Sequence, residues 1–270
     1  MPRIVLAFPE GRHKALTMSY DDGREADRRL VRIFHDHGVR GTFHLNGGLL
    51  GVDGRIGTEE AASLYAGHEI AAHTLTHPTI ARCPRETIVS EIMEDRKALE
   101  RITGEPVRGM SYPNGSHNRM IREMLPHLGI AYSRVVPSTG GFGMPDDWYE
   151  WMPTCHHKDR LMERAEAFVG LNKRQYLYLM YVWGHSYEFD QDGNWDLIES
   201  FCRYVGGRPD IWYATNIEIR DYMEAFERLQ FTADCRVVRN PSAVAVWLFA
   251  DDRLVVVPGG AVVALDGQEG

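Results

Sequence analysis

Ala15-Leu16-Thr17-Met18-Ser19-Tyr20-Asp21-Asp22-Gly23 is the stretch that decides how this chain folds. An apolar approach ends abruptly in two carboxylates and a glycine, the pattern of a buried strand that carries acids to its C-terminal edge and then turns. Further along, His73-Thr74-Leu75-Thr76-His77 supplies a histidine pair from a distant part of the chain. Two acids and two histidines in this order suggest a hydrolytic metal site, in which one acid binds metal while its neighbour handles protons.

Working outward, helix-like and strand-like segments alternate. Residues 25–37 place Leu30, Val31, Ile33 and Phe34 among charges and stop at Gly38, an amphipathic helix. Gly41-Thr42-Phe43-His44-Leu45 reads as a second strand, and residues 58–65 as a helix opened by the capping residue Thr58. Glu69-Ile70-Ala71-Ala72-His73 is a third strand that ends on the first histidine. Helices are expected at 84–101, 117–127, 161–171, 195–205 and 216–229, the last opened by an N-cap-type residue. Strands are expected at 107–112, 130–136, 176–183 and 211–214. Residues 137–153, rich in Gly and Pro with four aromatics, read as a long loop over a site. The alternation points to an α/β fold whose parallel sheet closes, or nearly closes, into a barrel. From about residue 231 the texture changes to short apolar runs between Asn-Pro, Asp-Asp and Pro-Gly-Gly turns. Residues 1–230 are therefore expected to form the barrel. Residues 231–270 are expected to form a small antiparallel β appendage, packed on it or, in a homo-oligomer, on another subunit.

Composition narrows the partners. With 270 residues, 44% of them hydrophobic, the chain can bury a sizeable core. A formal charge of −8 without a Lys/Arg tract argues against a nucleic-acid backbone or an anionic membrane as the main partner. Cys83, Cys155, Cys202 and Cys235 lie far apart with no C-x-x-C pair, which excludes a compact cysteine zinc module and speaks against a disulfide framework. No apolar run has the length of a membrane span and the first residues lack the features of a leader, so a cytoplasmic location is expected.

In a βα barrel the active site belongs at the C-terminal ends of the strands. Asp21 and Asp22 follow the first expected strand, His73 and His77 the third, Tyr112 to Gly115 the fourth, and His185 a late one. Alone, Asp-Asp-Gly or Pro-Asn-Gly is a turn, and a spaced histidine pair is as readily two surface residues. Their joint order makes the functional reading. Asp22, His73 and His77 suit a divalent ion with an open position, Asp21 a general base, and His185 a general acid. His44 and Asn46 could line the pocket or only pack. His156-His157 reads as loop or substrate rim rather than a second metal pair, because adjacent side chains diverge.

This order of motifs resembles the polysaccharide deacetylases, the NodB-homology group also called carbohydrate esterase family 4, over roughly residues 14–225. The family's T-F-D-D-G is matched by Ser19-Tyr20-Asp21-Asp22-Gly23, which implies Asp21 as base and Asp22 as metal ligand. Its H-[ST]-x-x-H is matched by His73 to His77. Its R-x-P-x-G is met by Ser111-Tyr112-Pro113-Asn114-Gly115 without the Arg that orients the base, leaving Arg134 or Arg108 to substitute. The same motif implies that Tyr112, Pro113 and Asn114 border the substrate, with the Asn114 N–H holding an oxyanion. Asp146, Asp147, Trp148 and Trp151 are loose candidates for a fourth motif, and Val182-Trp183-Gly184-His185 matches the fifth, implying His185 as acid.

The resemblance implies a distorted (β/α)7 TIM-like barrel. It also implies metal-dependent hydrolysis of acetyl groups from an N-acetylated, sometimes O-acetylated, sugar or glycan. Zinc is the first choice, with Co2+, Ni2+ or Fe2+ also suited to the donors. The missing Arg, the missing leader and the loop at 137–153 suggest a divergent member acting on a small or intracellular sugar. Two alternatives stand beside it: a hydrolase of non-sugar linear amides such as ureides or formamides, and a catalytically inactive glycan-binding pseudoenzyme.

Overall fold

The computed structural model describes residues 2–265. After a short strand β1 (Ile4–Ala7), the chain enters a sheet made of β2 (Lys14–Asp21), β3 (Gly41–Leu45), β4 (Glu69–Ala72), β5 (Gly109–Ser111), β6 (Tyr132–Arg134), β7 (Cys155–His156), β8 (Tyr178–Gly184) and β9 (Ile211–Tyr213). The order is β6-β5-β4-β3-β2-β8-β7, and every pairing is parallel. Strand β9 pairs with the first half of β2, over Lys14–Leu16, where β3 has not yet begun. Trp151 N donates to Ser133 O at 3.1 Å and Thr154 N donates to Tyr181 O at 2.8 Å, so the segment entering β7 stitches the β6 end toward β8. The result is a curled, distorted (β/α)7 barrel with helices α1 (Asp27–Asp36), α2 (Thr58–Leu64), α3 (Arg85–Thr103), α4 (Arg119–Met124), α5 (Leu161–Val169), α6 (Tyr187–Asp192), α7 (Trp195–Val205) and α8 (Asn216–Glu227).

Strand β2 shows how the sequence builds this. All eight of its residues are buried, as expected for a strand covered on both faces. Side chains alternate across a strand. Leu16, Met18 and Tyr20 join the helix-facing core, whereas Thr17, Ser19 and Asp21 meet Asn216, His44 and Arg134 on the other face. The polar row rises toward the C-terminal rim and ends on Asp21.

Several expectations need correction. Thr58 is the first helical residue rather than the cap, and Glu60 reaches back to the Gly57 N–H at 3.0 Å. Helix α8 is capped by Thr215, because the Asn216 side chain is buried between Thr17 Oγ1 and Tyr181 OH. Strand β7 and helix α6 are too short to leave a readable period.

The C-terminal residues form β10 (Gln230–Phe231), β11 (Val237–Arg239), β12 (Val246–Ala250), β13 (Arg253–Val257) and β14 (Val262–Ala264), in two antiparallel three-stranded sheets. One sheet includes β1, paired with β12, a contact no local pattern announces. Residues 266–270 of the expected appendage lie outside the described residues. Phe8, Ala15, Leu179, Ala214, Tyr222 and Leu248 share one apolar cluster, so this unit and α8 pack at the strand-start end of the barrel, away from the acidic rim.

Candidate active site

Asp21 is the last residue of β2 and is 2% exposed. Its Oδ2 accepts from Arg134 Nη2, and its Oδ1 lies 3.2 Å from Ser111 Oγ and 3.4 Å from His44 Nδ1. Burial alone would raise this carboxyl. The Arg134 guanidinium, with His73 and His44 behind it, outweighs that effect and holds Asp21 well below the usual carboxylate range. Ser111 and Arg134 are directly paired residues of β5 and β6, so the guanidinium reaches Asp21 from the strand next to the one expected to carry it. Arg134 is fully buried, with its guanidinium carbon 4.3 Å from the centroid of Trp183. Arg108 forms its ion pair with Asp221 instead.

Asp22 leaves the strand with φ 83°, and Thr74 (63°), His77 (61°) and Asn114 (55°) share that left-handed region. Positive φ is unfavourable for residues with a Cβ, and its concentration in these turns marks them as geometrically specified. Donor atoms of Asp22, His73 and His77 all lie within 4.8 Å of one another, with His77 Nε2 3.7 Å from Asp22 Oδ1. His73 Nδ1 faces the Ser111 carbonyl at 2.9 Å, which leaves Nε2 for the cluster. Burial pushes His73 down to about 4, so its imidazole is neutral near pH 7 with a lone pair available.

The loop between the two histidines is held from behind. Asn46 Nδ2 donates to the carbonyls of His73 (2.6 Å) and Thr74 (2.9 Å). Asp95, fully buried, accepts from the N–H groups of His73 (2.9 Å) and Gly47 (2.6 Å). Arg55 donates to Asn46 Oδ1 at 3.0 Å and to the Asp22 carbonyl.

His185 follows β8 directly. Its Nδ1 lies 3.3 Å from Glu188 Oε2, and its backbone N–H donates to the same oxygen at 3.1 Å. Burial would lower His185, but the Glu188 bond and the charges of Asp21 and Asp22 raise it above its ordinary value. Gly184 is required here, since a Cβ would fall 2.1 Å from His157 Nδ1. His156 and His157 do not diverge as expected: their Nε2 atoms approach the same Glu188 oxygen, at 3.1 and 3.4 Å. Of the turn residues, Tyr112 uses its N–H on Arg134 O and its hydroxyl on Tyr149 O, while Asn114 Nδ2 reaches Thr79 Oγ1 at 3.4 Å. Asp147 caps the turn at Tyr149, and Trp151 packs on Tyr132 and Tyr181. The carboxylate that meets His185 is thus Glu188.

Residues 9–133 match the family profile of the polysaccharide deacetylases. Over that stretch the chain resembles the polysaccharide deacetylase family. A chitooligosaccharide deacetylase of Rhizobium leguminosarum bv. phaseoli is 26% identical over 135 residues, 50% of this chain and 53% of that protein. The chain thus spans about half the length of this curated relative. Among solved structures, a polysaccharide deacetylase homologue from Mycobacterium smegmatis superposes with a TM-score of 0.62 at 17% identity, covering 84% of this chain and 96% of that one. A protein described as a carbohydrate esterase family 4 pseudoenzyme, from Bacillus anthracis, gives a TM-score of 0.50 at 16% identity, covering 80% and 68%. These structural likenesses establish the shared fold.

The structure brings Asp21, Asp22, His73, His77, Arg134 and His185 to one rim and adds residues that carry no motif in the sequence. Asp95 had left a signal: it occupies a position on the buried stripe Ile88, Ile92, Asp95, Leu99 of α3, where an apolar residue is the rule. Arg55 and Glu188 left none, because both stand on segments whose exposed and buried polar residues alternate without period. Among the described residues, no helix is long and apolar enough to cross a membrane.

Proposed function

We propose that this chain is a metal-dependent deacetylase that hydrolyses the acetyl amide, or acetyl ester, of an acetylated sugar or glycan. One observation carries the reading. A buried carboxylate with its own buried guanidinium, Asp21 with Arg134, stands beside three residues spaced as metal ligands, and His185 feels the charges of both acids. The family match and the chitooligosaccharide deacetylase relative support the substrate class. The fold is shared with a pseudoenzyme, so the side chains, not the fold, argue for hydrolysis.

Asp22, His73 and His77 would hold a divalent ion, and two imidazoles with one carboxylate suit zinc first, then cobalt, nickel or iron. An ion bound there supplies Lewis acidity toward the acetyl carbonyl. Asp21, kept ionised by Arg134, takes a proton from the attacking water as the C–O bond forms. The Asn114 N–H donates to the oxygen that gains charge. His185, its Nδ1 engaged by Glu188, gives the proton on Nε2 to the leaving nitrogen as the C–N bond breaks. Acetate and amine leave.

Acetate release, screened over acetylated mono- and oligosaccharides with ureides and formamides as controls, tests this reading. Asp21→Asn is expected to keep its metal and lose turnover by about 10²–10⁴-fold. Turnover of ureides or formamides alone would favour the non-sugar amide hydrolase. Glycan binding without turnover of any substrate would favour the binding protein.

A further inference from the structure

We infer that Glu188, clamped by His156 and Lys158, is the positioning residue that fixes the tautomer and orientation of His185. The inference rests on the proposed role of His185 as acid, and it concerns residues outside every motif that led to that role.

The hydrogen bonds form a chain with one consistent direction. The Lys158 backbone N–H donates to His156 Nδ1 at 3.2 Å, so in a neutral His156 the proton sits on Nε2. That Nε2 lies 3.1 Å from Glu188 Oε2 and donates to it. The same oxygen accepts the His185 backbone N–H at 3.1 Å and faces His185 Nδ1 at 3.3 Å. Lys158 Nζ occupies the other oxygen, 3.2 Å from Oε1, and is itself tied to Asp192 at 2.8 Å. With Nδ1 committed to Glu188, only Nε2 of His185 is left for substrate. A base held by a third group in this way is the arrangement that general acid–base pairs require.

The electrostatics agree. Burial opposes ionisation of Glu188, but His156 and His185 outweigh it and hold the carboxyl well below its usual range. His185 is faced by Glu188 and Tyr187 from α6, by Asp21 and Asp22 from the end of β2, and by His156 from β7. Every carboxylate in that set raises it, with Glu188 the largest of them.

His156, His157 and Glu188 also have the spacing of a metal-binding trio, and the local chemistry argues against that use. Ligation through His156 Nε2 would displace the proton that the Lys158 N–H requires there. Lys158 already neutralises the carboxylate. His157, 1% exposed, is stacked between Tyr20 (5.8 Å) and Phe189 (4.3 Å), and burial pushes it down to about 3, so it packs as a neutral ring.

The test reads His185 directly. The His185 imidazole is titrated by NMR in the wild type, Glu188→Gln, Glu188→Asp and His156→Phe, alongside kcat, KM and the pH profile of acetate release. Glu188→Gln is expected to lower the His185 pKa by roughly one unit, to reduce kcat about 10–100-fold with KM within about threefold, and to move the alkaline limb of the profile down. Glu188→Asp is expected to restore part of each change, and His156→Phe to reproduce them weakly. An unchanged His185 titration in folded Glu188→Gln overturns the inference. A shifted titration in a protein that releases no acetate even as wild type leaves the inference standing and overturns the proposed function instead.

Discussion

Exchanging the two residues that face Asp21 from neighbouring strands moves a guanidinium sideways by one strand without moving it along the barrel. Ser111 and Arg134 are paired in register, and both touch the Asp21 carboxylate, Ser111 Oγ at 3.2 Å from Oδ1 and Arg134 on Oδ2. Arg134→Ser leaves a carboxylate that is 2% exposed with Ser111, His44 and the neutral His73 ring beside it and no guanidinium. Removing one partner of a buried pair costs about 3–5 kcal/mol, which for a chain of this size lowers Tm by roughly 6–20 °C. Loss of a correctly held base lowers kcat by about 10²-fold or more. The double variant Ser111→Arg with Arg134→Ser returns the charge from the β5 side. The exchange removes the Ser111 Oγ contact to His73 Nδ1 at 2.7 Å, but the Ser111 backbone carbonyl at 2.9 Å remains as its acceptor, so the proposed ligand trio is expected to keep its arrangement. The double variant is expected to regain at least tenfold in kcat over Arg134→Ser, a coupling of about 1.4 kcal/mol or more in a double-mutant cycle. Arg134→Ser with wild-type Tm and kcat within about threefold would falsify the claim that this guanidinium holds the base.

Three further outcomes are expected. Protein prepared without chelator should carry about one divalent ion per chain by mass spectrometry, lost in His73→Ala and in His77→Ala; full metal content in both would remove them from the ligand set. Asp95→Ala, which frees the N–H groups of His73 and Gly47, should weaken metal binding about 10–100-fold without touching a ligand; unchanged affinity would make Asp95 a purely structural residue. His68, whose Nδ1 accepts the Gly41 N–H at 3.1 Å, is pushed from 6.5 down to about 4, first by burial and then by His35 and Arg40. The unfolded chain therefore binds this proton more readily, and stability present above pH 6.5 falls by up to about 3 kcal/mol as pH drops to about 4. Urea titrations of His68→Gln should show a flatter slope across that window, and an identical slope would assign the acid sensitivity to other groups.

Much of the barrel was legible because its strands and helices carry their own periodicity. The apolar run into Asp21 and the amphipathic helix ending at Gly38 are local facts, and the structure has β2 and α1 in those places. Strand β7 and helix α6 were not legible, being two and six residues long, and they carry His156 and Glu188. Strand β1 was not legible, because its partner β12 lies some 240 residues away and pairing at that separation leaves no local trace.

The same division runs through the site. The sequence by itself determined the chemical inventory: two acids at a strand end, a spaced histidine pair, a histidine after a late strand, and a missing Arg. Residue type and order suffice for that, since a barrel gathers strand ends at one rim. Only the tertiary structure decided which guanidinium meets Asp21 and which carboxylate meets His185. Arg134 comes from a parallel neighbour 23 residues beyond Ser111, in a register set by β5–β6 pairing. Glu188 turns back onto His185 because α6 starts where β8 stops. Those partnerships depend on angstrom-scale distances between buried groups, where the local dielectric makes each contact strong, and no pattern along the chain encodes them.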